Sequence, residues 1–436
     1  MCSVARPCDA TQGNAQLFSS LLYFAPHLMA TIYFAKWVLL PSFEVLHNAA
    51  VSVENGRIQS AGPRGWAKHG DHDRIVNLGD MFLLPGLINI HTHLEENALR
   101  DMPRAENETF ASWTAKRGTR LRHCSDNAIE NAVRLATREM LSCGITTVAD
   151  SSRRGISGRV LAQEPIRSYV LHEVHPETAE EEQGTVAALS GRIGPSAQHE
   201  ATGIGPYSVY SLSPDAHAAL AEFGRRNGYL WSCHIAESAE ELQAFSDQTG
   251  DLYFQMTRRK PWPFGRVTTG SMDCALSENL IPPGAICYHC NYVNGQELSR
   301  LAELGASIVL CFQYSREAGH KAFPLDAAIN RGALLCAATE SLSMERSMNL
   351  FDELFCARRA YPHVPAADML RWITSNPAAA LGASSQIGSL AAGLRADVVG
   401  LRFPQKPGAD LLEELIMGEP EARLVVVNGE EIIADY

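Results

Sequence analysis

The sequence predicts a (β/α)8 TIM barrel carrying a small composite β-sandwich domain formed by the N- and C-terminal segments. Three observations predict it. Eight short apolar runs, each followed by an expected helical stretch, recur between residues 83 and 338. Strands and helices alternating in that number close into a parallel barrel, whose site is built on the loops after the strands. Near each end of the chain, at 51–58 and 424–433, a strand, an Asn-Gly turn and a second strand follow one another. These ends are too short to form separate cores, so they are expected to pair into one small domain. Finally, 436 residues exceed a single ordinary core and allow two or three units.

The elements follow in order. Residues 1–28 read as an N-terminal extension outside the core, with Met29 as the natural start. From residue 10 to 35 there is no Asp, Glu, Lys or Arg, which mimics a signal or membrane segment. Pro26 and His27 interrupt it, Gln12, Asn14, Gln16, Ser19 and Ser20 dilute it, and no small-residue cleavage site stands out. Its second half, 31–40, reads as a β-strand. A cytoplasmic protein with no membrane association is expected.

Residues 29–84 and 385–436 form the expected composite domain, and 85–384 the barrel. The barrel strands are expected at 83–90, 146–149, 168–174, 205–211, 230–235, 285–288, 307–311 and 333–338. Between them, Ile129, Ala132, Val133, Ala136 and Met140 recur at three- and four-residue steps, and Gly144 closes that helix. Segments 215–228, 295–305, 323–332 and 367–382 behave alike. The connection 250–274 is long and holds Tyr253, Phe254, Arg258, Arg259, Lys260, Trp262 and Phe264. It reads either as a lid or as an aromatic packing arm or dimer contact.

Composition excludes several classes. With 46% hydrophobic and 20% charged residues the chain is that of a soluble globular protein. A formal net charge of −12 opposes phosphate backbones and anionic lipid, so no nucleic-acid partner is expected. Most of the eleven cysteines sit in apolar runs, where reduced thiols act as small hydrophobes, and Cys287-x-x-Cys290 lacks a second pair. His172-Glu173-Val174-His175 is one residue short of H-E-x-x-H, and a strand would scatter its side chains, so it reads as an accident. There is no glycine-rich phosphate loop.

The chemistry-bearing residues gather at strand ends. His91 and His93 close the first strand, and positions two apart on a strand point the same way. His234 and Glu237 stand at the end of the fifth strand, His289 at the sixth and Glu340 at the eighth. Imidazole nitrogens suit zinc or ferrous iron, and four strand ends offer such groups to one barrel mouth.

At these residues the chain resembles the amidohydrolase superfamily, in its mononuclear aminohydrolase branch of guanine, adenosylhomocysteine and aminodeoxyfutalosine deaminases and triazine hydrolases. The motifs are PGLINIHTHLE (85–95), GITTVAD (144–150), HIAESAEEL (234–242), YHCNYV (288–293), FPL (323–325), TESL (339–342) and GLRADVV (393–399). The resemblance implies that His91, His93, His234 and Glu340 bind one divalent metal, zinc first and ferrous iron as the alternative. It implies catalytic roles for Glu237 as proton shuttle, His289 as orienter of the attacking water and Glu340 as its base. Glu106 and His320 are candidate substrate-binding residues. The implied reaction is hydrolysis of a non-peptide C–N bond, releasing ammonia from an amino-substituted heterocycle or nucleoside. Alternatives are a dechlorinating or amide-cleaving hydrolase, or an inactive homologue acting as a binding protein. The partner is a small-molecule substrate, and a homodimer is expected.

The fourth-strand run 205–211 holds no bridging carboxylate or lysine for a second metal, in keeping with one metal. The chain departs from the family in three places: Glu340 replaces an aspartate, Cys311-Phe312-Gln313-Tyr314-Ser315 replaces C-P-R-S-H, and Ile204 replaces a histidine ahead of Pro206-Tyr207. The metal kit is kept while the substrate-reading kit is rewritten, which points to an altered substrate.

Overall fold

The computed structural model describes residues 29–66, 70–100, 102, 104–105, 108–193 and 199–436. Residues 1–28 and the candidate Glu106 lie outside the described residues. Eight parallel strands succeed one another: Leu87–Thr92, Ile145–Ser152, Arg167–Val174, Ala201–Pro206, Leu230–Ile235, Ile286–His289, Ser307–Leu310 and Leu334–Ala337. Together with the helices between them they make the expected (β/α)8 barrel.

The seam between the eighth and first strands is closed by a side chain. Asn89 donates its amide to Thr339 Oγ1 at 2.8 Å and accepts from Thr339 N at 3.2 Å. His93 N adds a bond to Glu340 O at 2.9 Å. The strand that carries His91 and His93 is thereby fixed against the one that delivers Glu340.

The run expected as one strand at 83–90 divides in two. Met81–Pro85 belongs to the terminal sheet and Leu87–Thr92 to the barrel. The pivot is Gly86, where a Cβ would lie 2.0 Å from Thr146 Oγ1 and 2.8 Å from its Cβ. A β-branched side chain on a buried strand cannot retreat. Gly86→Ala is expected to destabilise the protein by about 1–3 kcal/mol through overpacking; an unchanged urea midpoint would contradict this account.

The fourth strand lies earlier than the expected 205–211. It runs from Ala201 to Pro206, is held a little further by Tyr207 N to Val174 O at 2.9 Å and His234 N to Tyr207 O at 3.1 Å, and then buries the apolar Val209 and Tyr210 in a single 3-10 turn. A Cβ at Gly205 would fall 1.7 Å from Ser232 O, so this position on the strand has no room for a metal-bridging side chain.

Helix boundaries follow local chemistry. Asp126–Ser142 starts on Ser125, whose hydroxyl accepts from Ala128 N, and Gly144 follows it with a φ of 84°. Pro214–Asn227 starts on Ser213 and ends at left-handed Gly228. The expected helix 367–382 is two short ones, Ala366–Arg371 and Ser375–Ala380. Pro377 lacks the N–H a continuous helix needs and sits in the first turn of the second.

Both chain ends form one mixed sheet. Met81–Pro85 runs parallel to Thr31–Leu39 and antiparallel to Val398–Arg402, and the sheet continues outward through Val45–Glu54 and Arg57–Pro63 on one side and Glu421–Val427 and Glu430–Ala434 on the other. Tyr33, Val51, Val53, Met81, Leu83, Val398, Leu424 and Val426 from both limbs share one buried core, so the two segments meet as expected, in one connected mixed sheet. The opposite face, with Trp37, Phe82, Leu84, Val399 and Val425, packs into the main core with the barrel helices. Asn55-Gly56 and Asn428-Gly429 all have positive φ, as the tightest hairpin turns require. The described cysteines are all free thiols, and no described helix is long and apolar enough to cross a membrane.

Candidate active site

At the barrel mouth, strand geometry brings four ligating groups together. His91 and His93 share one side of the first strand with ring centroids 4.8 Å apart. His91 stacks on Tyr288 of the sixth strand at 3.7 Å, which fixes its plane. His93 Nε2 lies 3.1 Å from His234 Nε2 and 3.3 Å from Glu340 Oε1, and His91 Nε2 lies 2.7 Å from Glu340 Oε2. One ligand atom from each of His91, His93, His234 and Glu340 falls within 4.8 Å of the others, and all four residues are buried.

The donor set is in its binding form. His234 Nδ1 donates to Tyr207 O at 2.6 Å, which leaves the Nε2 lone pair facing the cluster. Burial, with the neighbouring His91, lowers His234 to about 3, and burial likewise holds His93 well below the usual imidazole range despite Glu340. Burial works against ionising Glu340, but the His93 and His91 rings outweigh it and hold that carboxyl well below its usual range. Imidazole nitrogens and a carboxylate oxygen converging on one buried point are the donors a divalent cation requires, and binding one would displace any proton they share. The replacement of aspartate by Glu340 leaves the carboxylate in contact with both first-strand histidines.

A second group faces this cluster. Ala236 and His289 adopt positive φ of 53° and 70°, turning the ends of the fifth and sixth strands so that Glu237 and His289 enter the mouth. Glu241 accepts from both Ala236 N and Glu237 N at 2.9 Å and braces that turn. Glu237 Oε1 stands 3.8 Å from His289 Nε2 and 3.8 Å from His320 Nε2, and it accepts a short hydrogen bond from the Tyr314 hydroxyl. Burial pushes the Glu237 carboxyl well above its usual range, with Tyr314 acting against it. Burial depresses His289 strongly and His320 to about 4. Neither ring nitrogen of buried His289 has a protein partner, nor does His320 Nε2. Buried groups of this kind are normally satisfied, so they mark a place built to hold a polar guest.

Two residues of this site were not singled out as functional from the sequence. Tyr314 belongs to the rewritten 311–315 segment. Glu173 sits within the His172–His175 stretch, whose likeness to H-E-x-x-H remains accidental because the strand Arg167–Val174 scatters those side chains. Strand alternation puts Tyr169, Leu171 and Glu173 on one face, and the first two pack with residues of five other barrel strands. Glu173 therefore points inward, its oxygens 3.8 Å from His93 Nδ1 and 3.6 Å from His234 Nδ1, and burial raises it to about 8. The alternation was the signal that would have found it.

The long connection 250–274 is a packed arm. Trp262 lies between Phe245 at 5.1 Å and Tyr253 at 5.2 Å, and Lys260 is buried against Glu182 and Ser211 O.

Compared with known proteins, residues 82–432 match the amidohydrolase family. A 5-methylthioadenosine/S-adenosylhomocysteine deaminase of Nitratidesulfovibrio vulgaris is 26% identical, covering 90% of this chain and 88% of its own. Helicobacter pylori aminofutalosine deaminase, solved with methylthio-coformycin, superposes with a TM-score of 0.79 at 21% identity, over 92% of this chain and 100% of that one. Atrazine chlorohydrolase from Arthrobacter aurescens, complexed with zinc, gives 0.76 at 21% identity, over 93% and 95%.

Proposed function

The chain belongs to the amidohydrolase family, and from that premise we propose that it is a metal-dependent aminohydrolase, removing the amino group of an amino-substituted heterocycle or nucleoside as ammonia. The observation that carries this is one buried mouth holding both a three-imidazole, one-carboxylate ligand set and a separate carboxyl, Glu237, whose burial keeps it protonated. Deaminase relatives of nearly full length support the reaction class, and a zinc-bound neighbour of the same fold supports the choice of metal.

His91, His93, His234 and Glu340 would hold one divalent ion, zinc in preference to ferrous iron. When bound, such an ion lowers the pKa of water toward neutrality and so supplies a nucleophile. The remaining work falls to the chain. Neutral His289 offers Nε2 to orient the attacking water, and Glu340 takes the proton that this water gives up. Protonated Glu237 gives its proton to the ring nitrogen beside the carbon under attack, and Tyr314 holds the resulting carboxylate. The amino group then takes the proton that Glu340 holds, the C–N bond breaks and ammonia leaves, while the added hydroxyl gives its proton back to Glu237 and remains as a carbonyl. Glu173 is a positioning residue, backing the His93 and His234 rings on the side away from the cluster.

The test is an ammonia-release screen of zinc-reconstituted protein against aminopurines, aminopyrimidines, aminotriazines and nucleosides. At least one is expected to turn over with kcat/KM of about 10^4 M⁻¹s⁻¹ or more. Ammonia from none of them would overturn the deaminase reading. Chloride and amide release, followed in parallel, would then show which bond the site attacks.

A further inference from the structure

The rewritten stretch after the seventh strand is held in place by a buried carboxyl. Helix Phe312–Glu317 follows strand Ser307–Leu310 almost directly, and Cys311 ahead of it offers no side-chain cap to its first amides. Glu353, buried on helix Leu350–Ala360, caps them instead. Its Oε2 accepts from Phe312 N at 2.5 Å and from Gln313 N at 3.2 Å, and its Oε1 accepts from Gln313 Nε2 at 2.9 Å. Where the family pattern has proline, which has no N–H to donate, this chain has the Phe312 amide, and where it has arginine, this chain has the Gln313 side-chain amide. Both go to Glu353. The next residue is Tyr314, whose hydroxyl reaches Glu237. The changes at 312–314 thus form a set, two of them fixing the turn from which the third reaches the site.

Glu353 also meets a second carboxyl. Glu345, buried in the loop after the eighth strand, accepts from Glu340 N at 3.0 Å through its Oε2. Its Oε1 finds no donor while both carboxyls are ionised, and a hydrogen bond with Glu353 satisfies it when one proton lies between them. Burial keeps that proton there, raising Glu353 to about 7 and holding Glu345 well above the usual carboxyl range. A continuous path of hydrogen bonds therefore runs from Glu340 through Glu345, Glu353 and the Phe312-Gln313 turn to Tyr314 and Glu237. Its two ends stand beyond different barrel strands, the eighth and the seventh.

We propose that Glu353 and Glu345 are a positioning pair, which holds the metal-ligand end of the site, Glu340, and its proton-donating end, Tyr314 on Glu237, at one fixed separation. The pair acts through those residues. A buried and fully bonded polar network has one arrangement, so it locates both loops more closely than apolar packing would. The inference rests on the deaminase reading for the roles of Glu237 and Glu340.

Glu353→Leu tests it, since leucine fills the space but accepts none of the three hydrogen bonds. In the zinc-loaded protein kcat is expected to fall by about 10–100-fold with about one zinc per chain retained. Hydrogen exchange over 311–317, followed by mass spectrometry in metal-free and loaded protein alike, should quicken by about tenfold or more. Glu353→Gln keeps an acceptor oxygen for the turn and is expected to recover most of both losses. A general packing defect would cost as much in a Tyr314→Phe background as in the native one, whereas action through Tyr314 limits the cost of Glu353→Leu there to about threefold. Glu345→Leu, at the other end, is expected to weaken zinc by about tenfold in a chelator competition, and it decides alone if Glu353→Leu does not fold. Unchanged exchange over 311–317, equal costs in the two backgrounds, or native zinc affinity in Glu345→Leu would overturn the pair. Faster exchange and weaker zinc in a protein that releases no ammonia would sink the deaminase reading and leave the pair standing; ammonia release with exchange and zinc affinity unchanged in the variants would do the reverse.

Discussion

The double substitution His91→Ala/His93→Ala is expected to remove metal and turnover together. His91 stands in the first strand and His93 directly after it, and together they are two of the four converging groups. His234, held by Tyr207 O, and Glu340 would remain, and a buried carboxylate stripped of its two imidazole neighbours loses what keeps it ionised. Bound zinc should fall from about one per chain to less than about one-tenth, and kcat/KM should drop by at least about 10^4. The fold should persist, because the lost contacts lie among the ligands while the seam through Asn89 and Thr339 stays intact. Metal analysis and far-UV circular dichroism on the same sample separate the two effects. A folded variant that still carries one zinc, or works within tenfold of the native rate, would refute the ligand assignment.

The convergence of His91, His93, His234 and Glu340 was legible in the sequence because strand geometry obeys a simple period, while their role as metal ligands came from the family resemblance. His91 and His93 are two apart, and His234, His289 and Glu340 each stand at the end of an apolar run, so a barrel topology brings them to one mouth. The same logic placed the paired Asn-Gly turns in one sheet. What stayed hidden depended on contacts between distant segments. The fourth strand lies earlier than expected because Val209 and Tyr210, buried in a 3-10 turn, imitate a strand in the letters alone. The seam amide of Asn89 finds its partner 250 residues away. Glu173 obeyed the period that found the histidines, but the surrounding histidines drew attention to a motif on a helix spacing that a strand cannot form. Tyr314 occupies a segment where the family pattern is lost, so only the fold shows its hydroxyl on Glu237.

Glu237→Gln is expected to lower kcat by about 10^2–10^4 while leaving zinc in place and KM within a few-fold. Glutamine keeps the volume and one acceptor oxygen but has no proton of the right acidity to give. Loss of metal, or a rise in KM with kcat preserved, would show that Glu237 holds structure or substrate instead. Tyr314→Phe distinguishes proton chemistry from packing. The Tyr314 hydroxyl donates to Glu237, and a hydrogen bond to the ionised form lowers a carboxyl's pKa, here against a larger upward push from burial. Removing the hydroxyl therefore raises the Glu237 pKa further. Glu237 acts as an acid, so activity is present below its pKa and is lost as pH rises through it. The alkaline limb of kcat/KM in Tyr314→Phe should accordingly move to higher pH, by about 0.5–1 unit for one hydrogen bond of ordinary strength. A limb that stays fixed or moves down would mean that some other group delivers the proton, with His320, 3.8 Å from the same oxygen, the next to test.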